Sequence, residues 1–435
     1  MYKKIFTIAG IILAGCALVA GISNVFKRKA TTDSAPEPTV IKAGQTSADT
    51  QIQKAEAIIK RSPDTPEGYN LLAAAYLRKA RETGDFNFNA RADAALNRAL
   101  AIAPDDFDAM GLQAKLLLTY HRFPEALEVA RRAQTLRPDN ADVYGAMTDA
   151  LVELGDYQAA IEAAQKMVDL RPDTASYSRV SYLRALHGDT EGAIEAMRVA
   201  AKAADPRDPE GVAWCRVHLG LELMNAGRRN EAEREFDEAL TIFPDYYLAF
   251  SAKARARVSA GDTESALEFY KRAQERVPLP DAAIARGNLL TRLGRQDEAK
   301  KEYELAAFIE RTSSSAGTYS RQLALFMADH DLNLDEALTI VQRERAVRSD
   351  IYTYDALAWC LYKKGLLREA QDAMDQALRL GTRDAQLFYH AGMIADGLGN
   401  RRRAKTYLQR ALDTDPSFNI LQADTARRLL EERSA

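Results

Sequence analysis

Apolar residues in this chain recur at helical spacing in short stretches separated by small polar breaks. Tyr69, Leu72, Ala73 and Tyr76 fall at i, i+3, i+4 and i+7, one face of a helix. After a break, Ala92, Leu96 and Ala99 repeat that spacing on a second helix. Leu219 and Leu223, then Gly227, then Ala232, Phe236 and Ala239 give the same helix–turn–helix unit more cleanly. Gly155, Gly227, Gly261, Gly294, Gly365 and Gly399 sit between paired helices, where a residue tolerant of positive φ ends the first one at little cost. Ala126, Ala160, Ala232, Ala266, Ala299, Ala337, Ala370 and Ala404 open the second helix, where the pair must pass closest.

The prolines measure the repeat. Pro63, Pro104, Pro138, Pro172, Pro206, Pro244, Pro278 and Pro416 are separated by 41, 34, 34, 34, 38, 34 and 138 residues. With a unit of 34, the span from Pro63 to Pro416 holds ten units and 13 inserted residues. Each proline stops a second helix, because it lacks the donor that the next backbone hydrogen bond needs.

This spacing is similar to the tetratricopeptide repeat, whose 34-residue pattern runs aromatic-x2-Leu-Gly-x2-Tyr, Ala-x3-Phe, Pro. Leu219-Gly220, Ala232, Phe236 and Pro244 carry it here, and it extends over about residues 47 to 433. The resemblance implies an all-α, right-handed superhelical solenoid of about ten hairpins whose first helices line a concave groove. Gln51 to Lys60 and Asn419 to Glu432 read as terminal helices shielding the end faces. Asp85 to Ala90 is an insertion, either extra helical length or a projecting loop, and Thr312, Ser349 and Thr382 replace the proline in three later units.

In the family, five positions of each unit face the groove and bind extended peptides or helices. Carried over, they give Tyr319, Gln322, Phe326 and His330; then Tyr352, Asp355, Trp359, Tyr362 and Lys363; then Gln386, Tyr389 and Met393. Earlier units offer a polar or aliphatic set, such as Asp142, Asp149 and Glu153, or Ser251, Arg255 and Ser259. The aromatic stretch suits a binding hot spot, since rings give large contact area at low side-chain entropy. The bland alternative is that these rings pack between helices and never meet a ligand. The Lys and Asn pairs with which some chaperone-binding relatives clamp a terminal carboxylate are absent from successive groove positions.

Residues 1–26 differ in kind. Met1 to Lys4 is basic, Ile5 to Phe26 is an uncharged stretch of 22 residues, and Lys27, Arg28 and Lys29 close it. That length can cross a bilayer as a helix. Within it Leu13-Ala14-Gly15-Cys16 resembles a bacterial lipobox, which implies lipid attachment at Cys16 and export. Ala17 to Phe26 stays apolar where such proteins usually turn polar, so a plain single-pass anchor and a cleaved secretory peptide stay open. Basic residues at both ends leave orientation undecided, and an inner-membrane anchor with a cytoplasmic array is the alternative to a periplasmic one. Residues 27–46 read as a flexible tether, and residues 47–433 as the solenoid.

Composition narrows the chemistry. Of 435 residues 47% are hydrophobic and 28% charged, which suits a folded chain. Lys and Arg total 59 against 62 Asp and Glu, a net charge of −3 without the basic surface that nucleic acid requires. Cys16, Cys215 and Cys360 are too scattered for a disulfide framework or zinc site. His121, His187, His218, His330 and His390 lie far apart and read as surface or groove-edge residues. Carboxylates beside Lys and Arg, as in Glu231 to Glu235, read as solvated faces. No phosphate loop or nucleophile motif is present. The expectation is a non-enzymatic, membrane-tethered scaffold that binds proteins or peptides, without cofactor, metal or nucleic acid. A pilus, secretion or outer-membrane assembly lipoprotein is the alternative, and an enzyme with a site across repeats is the remaining one.

Overall fold

The computed structural model describes residues 47–314 and 321–432, all within one compact unit, Thr46–Ala435. The N-terminal segment with Cys16, the tether and Tyr319 lie outside the described residues. Twenty-two helices are described and no strand. Helix α1 (Ser47–Arg61) precedes ten hairpins. The first five are α2 (Pro66–Thr83) with α3 (Asn87–Ile102), α4 (Phe107–Thr119) with α5 (Phe123–Leu136), α6 (Ala141–Glu153) with α7 (Tyr157–Leu170), α8 (Thr174–Leu186) with α9 (Thr190–Ala203), and α10 (Pro209–Asn225) with α11 (Arg229–Ile242). The last five are α12 (Tyr247–Ser259) with α13 (Thr263–Arg276), α14 (Pro280–Arg292) with α15 (Gln296–Ser314), α16 (Arg321–Asp329) with α17 (Leu334–Arg345), α18 (Ile351–Lys363) with α19 (Leu367–Ala377), and α20 (Ala385–Gly397) with α21 (Arg401–Thr414). Helix α22 (Gln422–Glu432) is the last one described, starting three residues later than its apolar pattern predicts because Pro416 to Leu421 form turns.

Local chemistry explains the hairpins. In the α6–α7 turn Gly155 has φ 77°, and Asp156 follows it as the cap of α7, accepting a hydrogen bond from the amide of Ala159. Gly261 with Asp262 repeats the device. The alanines that open the second helices are buried throughout, and a Cβ on Gly220 would collide with the ring of fully buried Phe236. The insertions become helix: α2 and α3 have 18 and 16 residues and α10 has 17, against 13 or 14 in the regular hairpins.

The windings of the solenoid touch one another. Gly84 in the α2–α3 turn lies against Val277, Gly155 against the carbonyl of Ser349, and Gly188 against that of Gly381. Each pair is 193 or 194 residues apart, between five and six 34-residue units, so one winding takes five to six hairpins. At the centre of the seam the Ser349 amide donates to the carbonyl of Glu153 at 2.9 Å and the Ile351 amide to the Tyr157 hydroxyl at 2.9 Å.

An ion cluster accompanies these bonds. Arg348 reaches Glu153 at 2.5 Å, Glu344 at 2.9 Å and Asp350 at 3.1 Å, while Arg321 reaches Asp350 at 2.8 Å. Burial raises Glu153 and Glu344; it would raise Asp350 too, but Arg321 and Arg348 hold that carboxyl below its ordinary value. These carboxylates correct the expectation that charged residues form only solvated faces. Glu344 and Arg348 have the i, i+4 spacing of a surface pair, yet both are buried because another winding covers them.

Candidate functional site

The first helices face inwards, and the predicted aromatic stretch gathers there. Phe326 and Trp359 are buried, with His330 4.9 Å from the Phe326 ring and 4.4 Å from that of Tyr303. Tyr362 stacks on Trp359 at 5.0 Å, and Lys363 pairs with Asp331 at 2.7 Å, 5.7 Å from the Trp359 ring. Tyr389 lies 5.8 Å from Trp359 and 5.5 Å from Phe418 of the C-terminal segment. Tyr352 stands apart, half-buried beneath the guanidinium of Arg321. Burial lowers His330 to about 4, leaving its ring neutral at pH 7.

His390 departs from expectation: it is fully buried, not at a surface or groove edge. It stacks on Trp359 at 4.1 Å, and its Nδ1 lies 2.8 Å from Asp355. Beside it Asp329 accepts from Trp359 Nε1 at 2.7 Å and from Gln422 Nε2 at 2.6 Å, and burial raises its carboxyl to about 6. The sequence gives no sign of this cluster, because its members lie on α16, α18, α20 and α22, and neither Asp329 nor His390 occupies a family groove position.

The C-terminal segment therefore does more than shield the last hairpin. Asp415 pairs with Arg255 of α12 at 3.3 Å, and Ile420 packs with Val258, Tyr270 and Leu289 of hairpins 6 and 7. Gln422 reaches α16, while Ala426, Leu429 and Leu430 join the core of the last three hairpins. Residues 415–430 thus span the interior from hairpins 6 and 7 to hairpins 8 to 10.

Beside that span the concave face of hairpins 5 to 7 stays accessible, as a cavity of about 590 Å³. His218 and Leu221 of α10, Ser251 and Arg255 of α12, and Ile284 and Asn288 of α14 line one side. Arg383 to Gln386, Thr414, Asp415 and Ser417 to Ile420 line the other. Ser251 and Arg255 are there because they occupy groove positions of their repeat. Burial lowers His218 to about 4 and raises Glu222, one turn further along α10, to about 7. The wall thus joins apolar side chains to polar ones. Among the described residues no group of three or more His, Cys, Asp or Glu could hold a metal ion, and no helix is long and apolar enough to cross a membrane.

Stacked hairpins around an inner binding face define a helical-repeat scaffold for protein interactions. The chain belongs to the tetratricopeptide repeat family, whose models match residues 77–141, 117–186, 218–279, 251–316 and 385–418. It is similar to "DnaJ homolog subfamily C member 3" of Homo sapiens, 23% identical over 216 residues, 46% of this chain and 42% of that protein. It thus spans less than half the length of that relative. Protein FlbA of Caulobacter vibrioides is 34% identical over 126 residues, 28% of this chain and 20% of its own. The human IFIT1 dimer with PPP-AAAA aligns at 18% identity over 77% of this chain and 78% of that one, with a TM-score of 0.47.

Proposed function

We propose that the chain is a membrane-tethered docking scaffold that holds a segment of a partner protein against the inner face of hairpins 5 to 7. The observation that carries this is the 590 Å³ cavity, built from three successive first helices and roofed by the chain's own C-terminal segment. Its volume suits a few residues of extended peptide, gripped at several points and not chemically altered. The apolar stretch Ile5 to Phe26 and the Leu13-Ala14-Gly15-Cys16 motif support a membrane anchor, by lipid on Cys16 or by a spanning helix, with the array on the exported side. The balance of 59 basic and 62 acidic residues favours a protein partner over nucleic acid.

Photo-crosslinking residues at Leu221 and Ile284 in intact cells test the docking face, with exposed Arg234 and Glu268 on second helices as controls. Discrete adducts from the inner positions alone are expected; equal adducts from all four positions would overturn the reading. Metabolic labelling with a palmitate analogue, comparing the unaltered chain with Cys16→Ser, tests the anchor. Label that Cys16→Ser abolishes establishes lipid attachment, and its absence from both chains refutes it.

A further inference from the structure

The aromatic face of hairpins 8 to 10 is occupied by an amphipathic helix, α22. Gln422, Ala423 and Ala426 are buried and Leu429 and Leu430 half-buried, while Asp424, Arg427, Arg428, Glu431 and Glu432 face solvent. The seat beneath holds the Asp329 carboxylate, which receives the Gln422 amide, and the Tyr389 ring, which receives Phe418. We propose that α22 holds, within its own chain, the seat of an amphipathic helix from a partner protein, and that the partner docks by displacing it. This rests on the scaffold reading and adds a second, gated site to the open one.

Three observations argue for a replaceable occupant. First, the seat is imperfectly satisfied. Gln422 Oε1 and His390 Nε2 are buried without a hydrogen-bond partner among the described residues. A buried acceptor left unmet costs free energy, a cost that a visiting helix able to satisfy it would not bear. Second, α22 belongs to none of the ten hairpins, so its leaving breaks no pairing within them. Third, its departure frees the Asp329 carboxylate from Gln422 and the Tyr389 hydroxyl from Thr425, leaving an acceptor and an aromatic ring together, as in a binding hot spot.

The seat also specifies its visitor. Such a helix carries an amide side chain facing Asp329, small residues one and four positions later, and leucines seven and eight positions later. An aromatic residue lies four positions ahead of the amide, as Phe418 lies ahead of Gln422. This is recognition of a helix in a groove, with the anchors on one face.

The test uses the full chain in detergent and a fluorescein-labelled peptide of residues 415–432 as the probe. In one protein variant, Ala426→Glu drives α22 from its seat. Anisotropy is expected to show this opened protein binding the peptide at least tenfold more tightly than the unaltered chain does. Peptides carrying Gln422→Leu or Ala426→Glu are expected to lose at least tenfold in affinity. Hydrogen exchange on the unaltered chain gives a readout independent of that variant's folding. There, α22 amides are expected to exchange faster than those of α20 and α21, and excess peptide to speed them further.

Three results would overturn the proposal: an opened, fully helical protein that ignores the peptide, equal binding of all three peptides, or α22 amides as protected as those of α20. Exchange of α22 between two copies, seen as a stable dimer of the opened protein, would also overturn it, by making the occupant another copy of this chain. Crosslinks at Leu221 and Ile284 that persist alongside any of these failures would leave the open-face reading standing.

Discussion

Arg348→Met should pull the windings of the solenoid apart. The guanidinium is buried and is the cation shared by Glu153, Glu344 and Asp350, reached at 2.5, 2.9 and 3.1 Å. Methionine keeps much of the volume and the stacking on Phe123, whose ring centre is 5.1 Å from the guanidinium carbon. Asp350 keeps Arg321 at 2.8 Å, so Glu153 and Glu344 are the carboxylates that lose their ion-pair partner, with only the weaker influence of Arg321 remaining. Removing one partner from a buried ion cluster costs about 3–5 kcal/mol, because the stranded charge stays desolvated.

The pH dependence follows from the same argument. The cost exists only while the stranded carboxylates are charged. Both already have raised values from burial, and losing Arg348 raises them further. The deficit is therefore larger at high pH and shrinks as pH falls through those raised values. Urea unfolding at pH 8 and pH 5 measures it. Small-angle scattering at pH 8 shows whether the loss emerges as an expanded coil before global unfolding. Adding Glu153→Gln and Glu344→Gln to Arg348→Met should restore most of the stability. A loss below about 1 kcal/mol at pH 8 with unchanged scattering, or one that ignores pH, would refute the reasoning.

Two further perturbations probe distinct parts of the fold. Gly155 and Gly261 share a positive φ, 77° and 78°, but a Cβ on Gly155 meets the Ser349 carbonyl and one on Gly261 meets nothing within 4 Å. Gly261→Ala should therefore cost about 1 kcal/mol, the conformational part alone, and Gly155→Ala clearly more, as compared by urea midpoints. Glu222 is raised to about 7 by burial, so relative to a neutral side chain its contribution is intact below the ordinary carboxyl range and lost as pH rises through 7. Glu222→Gln should match the unaltered chain at pH 4 and exceed it by about 2–3 kcal/mol at pH 8, measured by denaturation across that range.

The parts of this fold that repeat were readable from the residues, and the parts that occur once were not. Hairpin number, turn positions and the alanine contacts follow from a 34-residue period, because each unit faces the same packing problem as its neighbours. Even the insertions could be located, although their conversion into longer helices depends on how the neighbouring hairpins support them. Contacts between Glu153 and Arg348, or Gly188 and Gly381, bring together residues some 194 apart and leave no periodic trace. Glu344 and Arg348 have the spacing of a solvated pair, which says nothing of a second winding above them. His390 looked peripheral for a similar reason: its partners Asp355 and Trp359 belong to another hairpin. The amphipathic pattern of the C-terminal segment marked a helix, but not the route from hairpins 6 and 7 to α16.

Contact between windings also sets an order of assembly. A simple row of hairpins completes each interface as soon as the next hairpin is made. Here the rims around Gly84, Gly155 and Gly188 must wait for Val277, Ser349 and Gly381 before they are covered. On a ribosome that is a delay of nearly 200 residues, about 10–40 s at ordinary synthesis rates, during which half-built coils present unmatched rims to one another. Closure is then a late, long-range event that locks many hairpins together at once, so the finished array should unfold more like a single globule than like beads on a string.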